Sequence, residues 1–173
     1  KTYTLLISKD ANIYTAKATM LQGFSFDPAL YSRNKVTGKY YLTWIAEAYN
    51  AERFAMYEVN LNWSSVPGYE LLNPDSCKAK IFYYTLPTID VSQVFNPQLE
   101  KITFPLGTIV TEYRYSLTRE NAEFIRALLS ETNWQGGLFD SSHSNLPTNL
   151  SEGAYGFFSA CGVETLSFII TPQ

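Results

Sequence analysis

Apolar and polar residues alternate with a period of two along much of this 173-residue chain, and this pattern predicts a protein built mainly of β-strands. The first 20 residues predict a hairpin, in which Tyr3, Leu5 and Ile7 share one face and a turn at residues 9–12 leads into the return strand. A looser stretch with Phe24 and Phe26 follows, and we expect it to be a linker packed onto a core. Further strands are predicted at residues 79–86, 108–117, 157–158 and 166–170.

The strongest alternation occupies two runs, residues 40–48 and residues 53–63. Both are long enough to form antiparallel neighbours, so we predict that they pair with each other. Each run contains a tryptophan, Trp44 in the first and Trp63 in the second. We expect both rings to anchor a core, although one of them could face a ligand.

A different period, close to that of an α-helix, appears after the strand at 108–117. That strand places one set of side chains on a common side: Ile109, Thr111, Tyr113, Tyr115 and Leu117. Thr118 is a good N-cap residue, and it opens a helix predicted at about 118–132. The apolar stripe of this helix consists of Ala122, Ile125, Leu128 and Leu129.

These elements predict a mainly β fold, an antiparallel β-sandwich-like domain with one amphipathic α-helix. Residues 21–173 are expected to form this domain. The hairpin at residues 1–20 either joins the main sheet or is the remnant of a separate domain, and the pattern leaves both alternatives open.

Charge and composition argue against several classes of function, namely nucleic-acid binding, membrane spanning and metal or cofactor binding. A formal charge of −3 gives no electrostatic footprint for nucleic acid, and no apolar run approaches the roughly 20 residues that cross a bilayer. Cys77 and Cys161 could pair, but their spacing does not show that they come within bridging distance. A zinc site would need two further ligands, which His143 alone cannot supply, so we predict neither metal nor cofactor.

Catalytic chemistry has few candidate residues. A hydrolase centred on Asp140 and His143 would need a base oriented towards a nucleophile, and we interpret His143 as a solvated loop residue. Paired carboxylates could hydrolyse glycosides, and Glu47, Glu58 and Glu112 lie on predicted strands. Glu47 and Glu58 more simply mark a solvent-facing side of a sheet, so we expect a protein that is not an enzyme.

Aromatic residues offer a binding function instead. The chain contains 13 Tyr and 11 Phe, most of which we assign to the core. Sugars present apolar faces that stack on such rings, and Trp134 and Tyr155 lie in or beside loops. A glycan-binding or peptide-binding surface formed by Trp134, Tyr155 and Trp63 is therefore one alternative, and the tyrosines of the 40–63 region are further candidates.

Four pieces of the sequence resemble a known family, and their order and spacing matter more than any one of them. They are residues 1–5 with 14–20, the strand-into-helix passage 113–124, the turn 137–140, and the closing segment 153–161, Gly-Ala-Tyr-Gly-Phe-Phe-Ser-Ala-Cys. Together they resemble the C-terminal two-thirds of the DUF4249 family, outer-membrane-associated lipoproteins of Bacteroidetes without an assigned activity. Residues 21–112 agree with the family only in strand pattern.

The resemblance implies an outer-membrane location, on the periplasmic or cell-surface face, and a TonB-dependent receptor as partner. It implies that the hairpin at 1–20 is the end of an N-terminal Ig-like β region. Membrane association would then depend on a lipid anchor that this chain lacks. The leading hypothesis is a non-catalytic accessory protein that binds a transporter or its cargo, and the resemblance supplies no catalytic residues.

Overall fold

A computed structural model describes residues 1–47, 53–87, 97–133 and 146–172 of the chain. Its described part contains eight β-strands, one α-helix and two short 3-10 turns at Pro74–Cys77 and Leu99–Lys101. The strands and helix are β1 (Thr2–Lys9), β2 (Asn12–Thr19), β3 (Leu30–Arg33), β4 (Tyr40–Trp44), β5 (Ala55–Asn62), β6 (Lys78–Thr85), β7 (Ile109–Ser116), α1 (Arg119–Asn133) and β8 (Gly162–Ile169). The mainly β, antiparallel fold with one amphipathic helix is as the sequence predicts.

The N-terminal hairpin forms where the alternation predicts it. β1 and β2 pair antiparallel from Thr2 opposite Thr19 to Lys9 opposite Asn12. Asp10 makes the tight turn with a positive φ of 56°, a conformation that aspartate tolerates better than most residues. One face of the ribbon buries Ala16 and Ala18, whereas Leu6 on the opposite face remains 69% exposed.

A four-stranded antiparallel sheet, in the order β6-β5-β7-β8, forms the larger layer of the body. Its central strand β5 pairs with β6 on one side and β7 on the other. The predicted pairing of residues 40–48 with residues 53–63 is therefore wrong. β4 pairs instead with β3, a strand inside the stretch that we interpreted as a linker.

The reason for this pairing lies in the two apolar faces. Tyr40 and Leu42 of β4 and Val59 and Leu61 of β5 all belong to one buried cluster. If the two strands paired side by side, these residues would line one face of a single sheet. They instead pack face to face across two layers, which removes both apolar faces from water. This arrangement gives the body its sandwich-like architecture.

On β7 the buried side is not the tyrosine-rich one. Val110, Glu112, Arg114 and Ser116 point into the sandwich, and all are at most 3% exposed. Tyr113 and Tyr115 lie on the outer face and are only partly buried. The alternation predicts the strand correctly. It does not show which side faces the core, because two charged residues, Glu112 and Arg114, point inward.

Helix α1 covers one end of the outer face of the sheet. Ala122 is fully buried with Phe54, Leu86 and Leu117, and Ile125 and Leu129 pack against this second cluster. Leu128, which we assigned to the same stripe, is 38% exposed. Docking of this stripe supplies most of the stability of a helix only 15 residues long.

The closing segment is not the strand predicted at residues 157–158. The one strand that the structure describes after α1 is β8, which pairs with β7 from Gly162 to Ile169. Gly153 and Gly156 have φ values of 85° and 121°, which are incompatible with a regular strand for other residues. The side chain of Asn149 bonds both the N–H and the C=O of Phe158, and so takes the place of a neighbouring strand.

Candidate functional site

A cleft lies between the hairpin, the start of α1 and the closing segment, and we call it the junction cleft. Its volume is about 260 Å³. Three pieces of chain that are far apart in the sequence line it: Lys17–Thr19 of the hairpin, Thr118, Glu120 and Asn121 at the start of α1, and Asn149 with Phe157–Ala160. Apart from Asn149, these residues belong to three of the four pieces that carry the family resemblance, and the fourth piece, 137–140, lies outside the described residues.

Asn149 holds two walls of the cleft together. Its Nδ2 donates to the carbonyl oxygens of Lys17 at 3.0 Å and Phe158 at 2.7 Å. Its Oδ1 accepts from the N–H of Phe158 at 2.9 Å. An asparagine side chain offers both donors and acceptors, which is why one residue can fasten the hairpin and the closing segment at once.

Ser151 also attaches this part of the chain to β2, through two hydrogen bonds with Thr15. Its N–H donates to the carbonyl of Thr15 at 2.9 Å, and its Oγ accepts from the N–H of Thr15 at 3.0 Å. A β-bridge joins Ala16 to Leu150 between them. The outer edge of β2 is thereby paired, so the hairpin is attached to the body by backbone hydrogen bonds as well as by Ala16 and Ala18.

The start of α1 forms the third wall. Thr118 Oγ1 accepts from the N–H of Asn121 at 3.3 Å, which confirms Thr118 as the N-cap. Asn121 is itself 6% exposed, and its Nδ2 donates to Cys161 Sγ at 3.6 Å. Burial raises the pKa of the Cys161 thiol, so this sulfur stays protonated and serves as a packing group and weak hydrogen-bond partner.

Aromatic rings strengthen the contact between the helix and the closing segment. The rings of Phe124 and Phe157 stack with centroids 4.9 Å apart and planes inclined by 21°. Phe157 and Phe158 both line the cleft. The cleft therefore combines ring surface with amide and hydroxyl groups and with one charge of each sign, from Lys17 and Glu120, and this combination suits a polar ligand such as a sugar or a peptide segment.

Of the three residues predicted to bind a ligand, the two that the structure describes, Tyr155 and Trp63, do not line this cleft. Tyr155 lies in the closing segment and is 97% exposed, but it does not line the cleft. Trp63 directly follows β5 and packs against the larger core cluster. Trp134, Asp140 and His143 lie outside the described residues. The two cysteines do not pair, since Cys77 and Cys161 are both free.

Several residues of the cleft were missed in the sequence. Asn121 falls on the helix and Asn149 in a Ser- and Asn-rich loop, where neither has a distinctive neighbour. Their roles depend on contacts with residues 40 and 132 positions away, Cys161 and Lys17. The resemblance could have pointed to Asn121, which lies in the piece 113–124, but not to Asn149, which lies outside all four pieces.

The described ranges contain neither a metal-binding cluster nor a membrane-spanning helix. No group of three or more histidine, cysteine or acidic side chains there is arranged to hold a metal ion. Neither does any helix in these ranges have the length and hydrophobicity of a membrane span.

Comparison with known proteins adds no relative to this description. No family model matches the chain, and no match was found among curated proteins or solved structures.

Proposed function

We propose that this protein is a non-catalytic accessory protein of the outer membrane that binds a TonB-dependent transporter or the cargo of such a transporter. The location and the partner come from the resemblance to the DUF4249 family. The observation that supports a binding role is the convergence of three resembling pieces on the junction cleft. In this proposal the cleft is the contact surface.

The chemistry of the cleft is compatible with a protein partner. Lys17 and Glu120 place opposite charges at its lining, and Phe157 and Phe158 supply apolar ring surface. A rim of charges around an aromatic centre is the usual composition of a specific protein interface. Leu6 and Ile13, each 69% exposed, add apolar surface to the face of the hairpin that also carries Lys17.

The test is affinity capture of the tagged chain from solubilised outer membranes of Bacteroidetes, with identification of the recovered proteins. We expect co-purification of a TonB-dependent transporter. Lys17→Glu combined with Ser159→Trp places a reversed charge and a bulky ring in the cleft, at two residues that are exposed. These changes should reduce recovery of the transporter by about tenfold, as expected for loss of one interface anchor.

Lys35→Glu is the matched control, since it makes the same charge change in the turn between β3 and β4, outside the cleft. Recovery with this variant should equal that of the natural chain. Recovery of the protein alone would overturn the proposed partner. Equal loss in the cleft and control variants would overturn the cleft as the contact surface.

A second candidate function is glycan binding. It is favoured by the almost fully exposed ring of Tyr155, two residues from the ring pair of the cleft. On a glycan array we expect Tyr155→Ala and Trp134→Ala each to weaken binding by about two- to tenfold or more, because each removes a stacking surface worth roughly 0.5–1.5 kcal/mol. Phe82→Ala, which removes an exposed ring of β6 outside the candidate residues, is the control. Unchanged binding in both aromatic variants, or no binding by the natural chain, would exclude these residues as a glycan site.

A further inference from the structure

A second cavity is lined by residues of both layers of the sandwich, and one of these residues is a buried arginine. Arg114, on the inner face of β7, is 3% exposed. Its Nε donates to the hydroxyl of Tyr57 at 3.1 Å and its Nη1 donates to Ser116 Oγ at 2.9 Å. Both acceptors are neutral, so these bonds orient the guanidinium without compensating its charge.

None of the described carboxylates forms an ion pair with Arg114. Glu112 lies two residues earlier on the same face, but its Oε1 accepts from the N–H of Ala29 at 2.9 Å and its Oε2 has no hydrogen-bond partner. A guanidinium stays protonated under all physiological conditions, and a buried charge without a counter-ion is costly. The position of Arg114 is therefore unfavourable unless an anion approaches it.

A second arginine faces the same space. The guanidinium carbons of Arg53 and Arg114 lie 4.9 Å and 5.4 Å from the centroid of the Phe24 ring. One ring thus holds both cations through cation–π contacts. Arg53 is exposed, and like Arg114 it forms no ion pair with a described carboxylate.

The cavity between these groups has a volume of about 150 Å³. Trp44 and Thr85 also line it, and so do two exposed carboxylates, Asp27 and Glu47. Its lining therefore carries two positive and two negative groups, with the buried positive charge of Arg114 as the least solvated. An anion is repelled by the two carboxylates in proportion to its charge, so this lining disfavours a dianion more than a single carboxylate with a neutral or cationic remainder.

We propose that this cavity binds the carboxylate group of a small organic monocarboxylate, with Arg114 as the primary ligand and Arg53 as the second. The planar fork of a guanidinium matches the two oxygens of a carboxylate, and its remaining N–H groups are the donors for that contact. The Phe26 and Trp44 rings, which line the cavity, would contact the apolar part of such a molecule. This site is separate from the junction cleft and does not depend on the proposed partner.

The experiment is a titration of the full chain with sodium acetate at neutral pH and constant ionic strength, followed by NMR of the arginine Nε–H signals and by thermal unfolding. We expect saturable shifts of the Arg114 signal and a melting temperature that rises with acetate but not with chloride. Arg53→Gln should weaken acetate binding about three- to tenfold, since this exposed arginine contributes a solvated charge contact. Arg114→Gln should abolish it.

Arg33→Gln makes the same charge change on β3, outside the cavity, and should bind acetate like the natural chain. Arg114→Gln alters a buried residue and can prevent folding. If the Arg114 variant does not fold, Arg53→Gln, at the exposed arginine, decides the outcome. Absence of saturable acetate binding by the natural chain would overturn the proposal. So would equal affinity in the Arg53 and Arg33 variants, or inorganic phosphate binding more tightly than acetate.

Discussion

Two ionisable residues on the inner face of β7, Glu112 and Arg114, differ from the rest of the core in chemistry. Both are at most 3% exposed. Burial raises the pKa of Glu112 to about 6, and the hydrogen bond from the Ala29 N–H lowers it only in part. The buried carboxyl therefore keeps its proton to a higher pH than an exposed glutamate does, and below this pH the cost of burying a charge is avoided.

We predict that Glu112→Gln stabilises the protein at alkaline pH. From its ordinary value of 4.5 up to about 6, the folded chain keeps a proton that the unfolded chain has lost, so the stability of the natural protein falls as pH rises through this window. Glutamine removes this dependence. In denaturant unfolding the variant should gain up to about 2 kcal/mol at pH 8 relative to pH 4.

Glu58→Gln is the control, because its expected effect on stability at neutral and alkaline pH has the opposite sign. Hydrogen bonds from Lys80 and Asn60 lower the pKa of Glu58, and Lys80 Nζ lies 2.6 Å from its Oε1. Its stabilising contribution is present above the unfolded value and is lost as pH falls. The Glu58 variant should therefore be less stable than the natural chain at neutral pH. If both variants shifted stability in the same direction at pH 8, the assignment for Glu112 would be wrong.

Among the elements, α1 is the one whose position depends most on its first residues. Thr118 caps the helix, Asn121 and Ala122 contact the closing segment and the second core cluster, and Phe124 stacks on Phe157. The start of the helix therefore fixes both its own docking and one wall of the junction cleft.

We predict that Thr118→Ala destabilises the protein by about 0.5–2 kcal/mol, because the N–H of Asn121 loses its acceptor. Thr118→Ser keeps the hydroxyl and should lose less than half as much. Thermal and urea unfolding of the two variants measure this difference. Equal losses would show that the methyl group of Thr118, and not its hydroxyl, supports the helix.

Elements with a local cause were predictable from the sequence. The N-cap and the apolar stripe predict α1, and strict alternation predicts β1, β5 and β7. The short strand β3 was missed because its four residues lie among Gly, Pro and Asp residues that favour turns. The closing segment was misjudged because its aromatic pair resembles a strand, while two glycines with positive φ and the side chain of Asn149 determine its path.

For the whole molecule, what could not be predicted is which strands become neighbours. β4 and β5 follow one another and share apolar alternation, yet they belong to different layers. Only the three-dimensional packing of Leu42 against the face of β5 decides this. The junction cleft and the arginine cavity depend on the same long-range arrangement, so neither could be located from the spacing of residues in the chain.

The crossing of the chain at Gly162 has a consequence for how the molecule is assembled. A Cβ atom at this position would lie 2.5 Å from the carbonyl oxygen of Leu21 and 2.6 Å from the nitrogen of Gly23. The backbone that leaves the hairpin therefore passes directly over the first residue of β8. During synthesis this crossing forms only after residue 162 has emerged, and until β8 has also emerged one edge of β7 remains an open template for strands of other chains. The close crossing at Gly162 therefore forms late in synthesis, together with the pairing of β8 that covers the open edge of β7 and protects the nascent protein from aggregation.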